Sequence, residues 1–164
     1  MTIHIEELQV RELPIEKVLP LRTGVLRPHF QPGRLAHFLE DDLPITRHFG
    51  VVDGDEKVLA VATFYKYESP VFAGEPAIKL RGMAVDTDYQ GHGLGTILLD
   101  ASIPRLALIF SECRTLWCNA RIEAVPFYER AGFKKWGEEF EIKDIGTHIV
   151  MWRPMPIVLA EQFV

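Results

Sequence analysis

Three glycines at alternate positions, Gly91-His92-Gly93-Leu94-Gly95, stand between a strand-like segment, 77–85, and a helix-like one that begins at once. So short a connection makes the backbone turn tightly and bare its N–H groups. The helix behind it adds unpaired first-turn donors and the positive end of its dipole. Together they make a site for a phosphate or pyrophosphate, the alternative being a tight strand–helix connection with no ligand. A nucleoside-triphosphatase loop is excluded, because no G-x-x-x-x-G-K-[ST] occurs. The dinucleotide pattern G-x-G-x-x-G fails from either start, since Thr96 and Leu98 fall where the third glycine belongs. Glu112, the acidic residue about twenty positions on, precedes its strand instead of ending it. The pattern that does match is Q/R-x-x-G-x-G/A, given by Gln90, Gly93 and Gly95.

The rest of the chain alternates strand and helix signals. Ile3, Ile5 and Leu8 suggest a first strand with one buried face. Pro14 opens a helix in which Ile15, Val18, Leu21, Val25 and Leu26 recur at helical spacing, broken by Pro28 and Pro32. A short second helix is expected with Leu35, Phe38 and Leu39 on one face, ending at Asp41-Asp42-Leu43-Pro44. Strands at 48–53 and 58–67 flank the turn Asp53-Gly54-Asp55. Residues 77–85 form another strand, in which Gly82 marks a bulge or a close backbone approach. The helix after the glycine turn carries Pro104, which should kink it. A short strand at 115–119, a short helix at 124–131 stopped by Gly132, and a strand pair at 136–142 and 147–152 complete the pattern. Residues 1–155 are expected to form one domain, with 156–164 an apolar tail that covers a sheet edge of its own subunit or of a partner in a homodimer.

Composition narrows the function classes. The 164 residues carry a formal net charge of −5 with no Lys/Arg cluster, so nucleic acid is a poor partner. An anionic cofactor is still compatible, because backbone donors do not appear in a charge count. The longest apolar run, 106–110, is too short for a membrane span. With Cys113 and Cys118 alone and no signal-peptide pattern, a reducing, cytoplasmic setting is expected. The six histidines show no ligand spacing, so no metal is expected.

Three blocks in order carry a family resemblance: Leu80-Arg81-Gly82-Met83-Ala84-Val85, the glycine turn, and Asn119-Ala120-Arg121 followed by Ala124 and Phe127-Tyr128-Glu129-Arg130-Ala131-Gly132-Phe133. In this the chain resembles the GCN5-related N-acetyltransferase family from about residue 48 to 153. The resemblance implies a mixed, mostly antiparallel seven-stranded α/β (α+β) fold flanked by helices and splayed between strands 4 and 5. It implies acetyl-CoA as cosubstrate, an amine acceptor of small-molecule or peptide type, and direct attack of the amine on the thioester. A non-catalytic acyl-CoA-binding or sensing module on the same fold is the alternative. By the same resemblance Met83, Ala84 and Val85 meet the pantetheine arm, their backbone pairing with it like an added strand. Gln90, Gly91, His92, Gly93, Leu94, Gly95 and Thr96 cradle the pyrophosphate, Asn119 and Phe127 complete the cofactor site, and Tyr128 is the general acid.

The general base is open. Some family members place a Glu on the central strand, where this chain has Lys79 and Arg81. Glu141, His148 and Glu123 are candidates, as is a water chain. Arg27 and His29 lie where the family's variable substrate-facing helices belong, which makes them candidate acceptor contacts.

Overall fold

The computed structural model describes residues Ile3–Val158. Seven strands form one mixed sheet in the order β1-β2-β3-β4-β5-β7-β6. They are β1 (Gln9–Glu12), β2 (Arg47–Val52), β3 (Val58–Lys66), β4 (Ala77–Val85), β5 (Thr115–Arg121), β6 (Lys134–Ile142) and β7 (Gly146–Pro154). The helices are α1 (Ile15–Leu26), α2 (Leu94–Ile109) and α3 (Val125–Arg130). β4 and β5 run parallel, and their ladder is short, from Ala77↔Thr115 to Lys79↔Trp117. The pairs β1–β2, β2–β3, β5–β7 and β6–β7 are antiparallel. The described residues form two compact units, one of residues 3–65 with 82–102, the other of 66–81 with 103–158.

In the first unit the apolar stripe of α1 packs Val18 against Val61 and Ala84, with Leu13, Ile15, Leu21 and Val25 around them. Pro14 caps this helix instead of lying inside it, and Pro20 is accommodated within its span. The β2–β3 connection is a five-residue loop in which the Asp53 carboxylate accepts from the N–H groups of Asp55 and Lys57 at 2.9 Å each, while Glu56 takes φ 65°. Two expected elements differ. Residues 5–7 form a 3-10 turn, and the first strand starts only at Gln9. The second helix is replaced by a 3-10 turn, Leu39–Asp42. Burial at 35–39 alternates, with Ala36 and Phe38 inside and Leu35, His37 and Leu39 outside, which is the period of an extended chain. α2 runs as one helical span with Pro104 inside it.

A buried polar network ties this extended stretch down. Arg22, fully enclosed on α1, donates to both Asp41 carboxylate oxygens at 2.7 and 3.1 Å, to the Ala36 carbonyl at 2.9 Å and to Thr63 Oγ1 at 2.6 Å. Its guanidinium also lies 4.1 Å from the centre of the Phe38 ring. Gly82 on β4 has φ +67°, and a Cβ there would stand 2.8 Å from Arg22 Nε and 3.0 Å from Phe38. Both the backbone conformation and this close approach therefore require glycine. His48 Nε2 faces the Asp41 carbonyl at 3.1 Å, so Nε2 carries the proton, and Nδ1 accepts from the Thr63 hydroxyl at 2.7 Å. The imidazole is thus held neutral.

Burial is the main cause that lowers the His48 pKa below 6.5, with Arg22 adding to it and the Asp41 carbonyl opposing it. The unfolded chain therefore takes up a proton first as pH falls. The His48 contribution should be intact above about pH 6.5 and should fade as the pH drops towards the folded-state value. Urea titrations from pH 7 to 5 should show a shallower loss of stability in His48→Gln than in the parent; equal slopes would reject this account.

Candidate active site

In the first unit β4 leads through a 3-10 turn, Thr87–Tyr89, into the glycine turn. Gly91 and Gly93 sit at φ +80° and +79°, which L side chains rarely adopt. Beyond each glycine and its two chain neighbours, no heavy atom comes within 4 Å of where a Cβ at either would stand, so both face open space. The amide of Ile97 donates to the Gly93 carbonyl at 3.0 Å, which makes Gly93 the cap of α2. Leu94, Gly95 and Thr96 are then first-turn residues, whose N–H groups have no intrahelical acceptor. Leu94 is buried and anchors the turn, whereas Gln90, Gly91, His92, Gly93 and Thr96 are exposed. The donor set, the dipole end and the open cradle fit a pyrophosphate. Ahead of the turn Met83 and Val85 are half-buried and Ala84 is buried. Gln90 Nε2 donates to the Val85 carbonyl at 3.0 Å, locking the turn onto the end of its strand.

Arg27 and His29 also lie in this unit; Arg27 lines a cavity of about 370 Å³ between α1 and residues 28–35, and His29 is not among that cavity's lining residues. One Arg27 N–H donates to the Leu26 carbonyl at 2.8 Å. His29 is exposed and edge-on to Phe30, 5.2 Å between ring centres.

In the second unit α3 places Tyr128 against β5. Its ring meets Phe127 and Phe133 edge-to-face at 5.1 and 5.2 Å. The Phe133 amide donates to the Tyr128 carbonyl at 2.9 Å, so the turn at Gly132 fixes the tyrosine's backbone as well. The phenol is buried and hydrogen-bonded to the Cys118 thiol. Burial, reinforced by Cys118, raises its pKa well above 10. Burial likewise pushes the Cys118 thiol up. Tyr128 therefore holds its proton at neutral pH, as a proton donor must. Asn119 follows Cys118 and so faces the other side of the sheet, half-buried and opposite Val150.

The candidate bases part company. Glu141 is exposed, opposite Thr147, whose hydroxyl donates to its carboxylate. Glu123 is exposed in the 3-10 turn before α3. His148 is buried on β7, its ring stacked on Phe140 at 5.9 Å, and its Nδ1 donates to the Gly146 carbonyl at 2.8 Å. A proton fixed on Nδ1 leaves the basic lone pair on Nε2. Cys118 was legible in the sequence only as a small core residue; its role as partner to the Tyr128 phenol depends on a helix that docks ten positions later. Among the described residues no group of three His, Cys, Asp or Glu could hold a metal, and no helix is long and apolar enough to cross a membrane.

Comparison with known proteins identifies the family and the fold. The family described as Acetyltransferase (GNAT) domain matches residues 46–152. YitI of Bacillus subtilis strain 168, described as an uncharacterized N-acetyltransferase, is 32% identical over 148 residues, spanning 90% of this chain and 97% of that one. Escherichia coli ElaA has a similar fold, with a TM-score of 0.70 at 19% identity over 89% of this chain and 99% of that one. The NatC complex bound to Gag peptide and CoA gives 0.68 at 16% identity, covering 92% and 99%. The chain belongs to the GCN5-related N-acetyltransferase family. It is an N-acetyltransferase, with acetyl-CoA as acyl donor and an amine as acceptor.

Proposed function

We propose that residues 1–155 act as one acetyltransferase domain in which the turn 90–96 binds the cosubstrate's pyrophosphate, Tyr128 is the general acid and His148 the general base. The observation that carries the reading is the glycine turn, where two left-handed glycines facing open space lead into the unsatisfied first turn of α2. Acetyl-CoA supplies a thioester whose C–S bond breaks as the amine nitrogen bonds to the carbonyl carbon, the electron pair leaving on sulfur. The backbone of Met83 and Val85 and the side chain of Asn119 hold the pantetheine arm. His148 Nε2 takes the proton that the attacking nitrogen sheds. Tyr128 Oη donates the proton that the departing thiolate needs. His148 is favoured over Glu141 because its tautomer is fixed and its surroundings are dry, whereas Glu141 is in water and already bonded to Thr147. The free, buried Cys113 and Cys118 support a cytoplasmic setting.

Replacing Gly93 tests the cofactor assignment. A valine there strains a φ of +79° and projects a side chain into the open cradle. Gly93→Val should fold, with its own melting transition, and lose the thermal stabilisation that CoA gives the parent. A folded variant stabilised by CoA as strongly as the parent moves the pyrophosphate elsewhere.

A further inference from the structure

All three tryptophans of the chain lie on one face of the sheet in the second unit. Trp117 on β5 is directly opposite Trp152 on β7, and Trp152 is directly opposite Lys134 on β6. Directly paired residues share a face, and so does every second residue along a strand. Trp136, two residues beyond Lys134 and opposite Val150, therefore joins them, as do Asn119 and His148. α3 packs on the other face, where Cys118 meets Tyr128.

The 67–72 segment extends the aromatic surface. The Tyr67 ring lies 6.2 Å from Trp117, and the Phe72 ring stands edge-on to Trp152 at 5.0 Å. Trp117 Nε1 donates to the Tyr67 carbonyl at 2.9 Å, so the segment is held in place. Packing does not consume these rings: Tyr67 is 52%, Trp136 42% and Phe72 36% exposed. Exposed aromatics clustered in this way mark a binding surface more often than scattered ones do. Cations frame it. The Lys79 ammonium is 4.9 Å from the centre of the Trp117 ring and 5.1 Å from that of Tyr67. Lys134 lies at the far end of the same row, and Arg121 is opposite His148. The three paired rows Lys79–Trp117–Trp152–Lys134, Asn119–Val150–Trp136 and Arg121–His148–Phe140 contain no carboxylate; Glu138 and Glu139 fall in the β6 irregularity between Trp136 and Phe140, where the register pairs them with nothing on β7.

We propose that this face receives the acceptor, and that the acceptor is an amine carrying both an aromatic ring and a carboxylate. The proposal rests on the acetyltransferase reading above and on His148 as its base. Ring stacks on ring beside Trp136 and Trp152, and the carboxylate is drawn to the exposed Lys134 ammonium at the border. His148, buried on the same face, is the base that the reading above assigns to the amine. A polycationic acceptor is disfavoured at the row of Trp117 and Trp152, because Lys79 and Lys134 stand at its two ends.

The tryptophans themselves report on the test. Intrinsic fluorescence should change when the protein is titrated with N-acetyl-L-phenylalanine, which carries the ring and the carboxylate. N-acetylphenethylamine, with the ring alone, and N-acetyl-L-alanine, with the carboxylate alone, should each bind at least about tenfold more weakly. Trp136→Ala and Lys134→Glu, both at exposed positions, should each weaken N-acetyl-L-phenylalanine by about tenfold while CoA still stabilises the protein thermally. In thiol-release assays L-phenylalanine should exceed phenethylamine, L-alanine and spermidine in kcat/KM. The proposal is overturned if spermidine or phenethylamine is the better acceptor, if the ring-only or carboxylate-only ligand binds as tightly, or if Trp136→Ala binds like the parent. The fluorescence titration needs no CoA. Failure there with CoA-dependent thiol release intact removes the acceptor class alone, whereas failure of CoA binding removes the underlying reading.

Discussion

Tyr128→Phe should slow single-turnover acetyl transfer by roughly 10- to 1000-fold, about 1.4–4 kcal/mol of barrier. The ring packs between Phe127 and Phe133, and phenylalanine keeps that packing. What is lost is one buried hydroxyl and its hydrogen bond to Cys118. CoA affinity should therefore change little, and the loss should appear in kcat more than in KM, because the proton matters mainly as charge builds on sulfur. Single-turnover rates are the proper measure, since product release can mask chemistry in the steady state. The same assay addresses the other proton: His148→Gln should slow the step, and Glu141→Gln, altering an exposed carboxylate, should leave it near the parent rate. A Tyr128→Phe rate equal to the parent's would return Tyr128 to packing and give the acid role to water.

The parts of this protein that were legible in the sequence are those whose signal is local. The glycine turn declares itself because its residue types and spacing are the conformation: Gly91 and Gly93 take the left-handed region, and Gly93 caps the helix. The β2–β3 hairpin and the β6–β7 pair show their turn residues in the same way. Elements set by distant partners were misread. Leu35, Phe38 and Leu39 fit a helical stripe, yet Asp41 accepts from the Phe38 amide at 2.6 Å and binds Arg22, which holds the stretch extended. Nothing within residues 34–42 reports an arginine nineteen positions earlier. The tryptophan face is a similar case. Trp117, Trp136 and Trp152 are scattered along the chain, and only the register across β5, β7 and β6 brings them to one side. The bases stood as equals in the sequence, and it is the Gly146 carbonyl and the burial of His148 that separate them. The expected cover of a sheet edge by the tail falls partly on residues 159–164, outside the described residues; before them Ile157 is 62% exposed.

Arg22→Met should destabilise the fold by about 3–5 kcal/mol, the range for removing one partner of a buried ion pair. The methionine keeps most of the length and apolar bulk of the side chain, so the cost lies in what is left behind. Asp41 would keep a fully enclosed carboxylate with the Phe38 amide as its remaining close donor, and the Ala36 carbonyl and Thr63 hydroxyl would each lose a partner. Buried acceptors without donors cost about 1–3 kcal/mol each before relaxation. The diagnostic is the double variant. Asp41→Asn keeps an oxygen for the Phe38 amide but removes the stranded charge, so Arg22→Met with Asp41→Asn should be more stable than Arg22→Met alone. Urea midpoints for the parent, both singles and the double give the coupling directly. A single-variant loss below about 1 kcal/mol, the scale of an exposed pair, would show that the network is hydrated in solution. A double variant no better than the single would mean that the stranded charge is not the cause, and that the cost comes from the lost packing of Arg22 against Phe38 and Gly82 on β4.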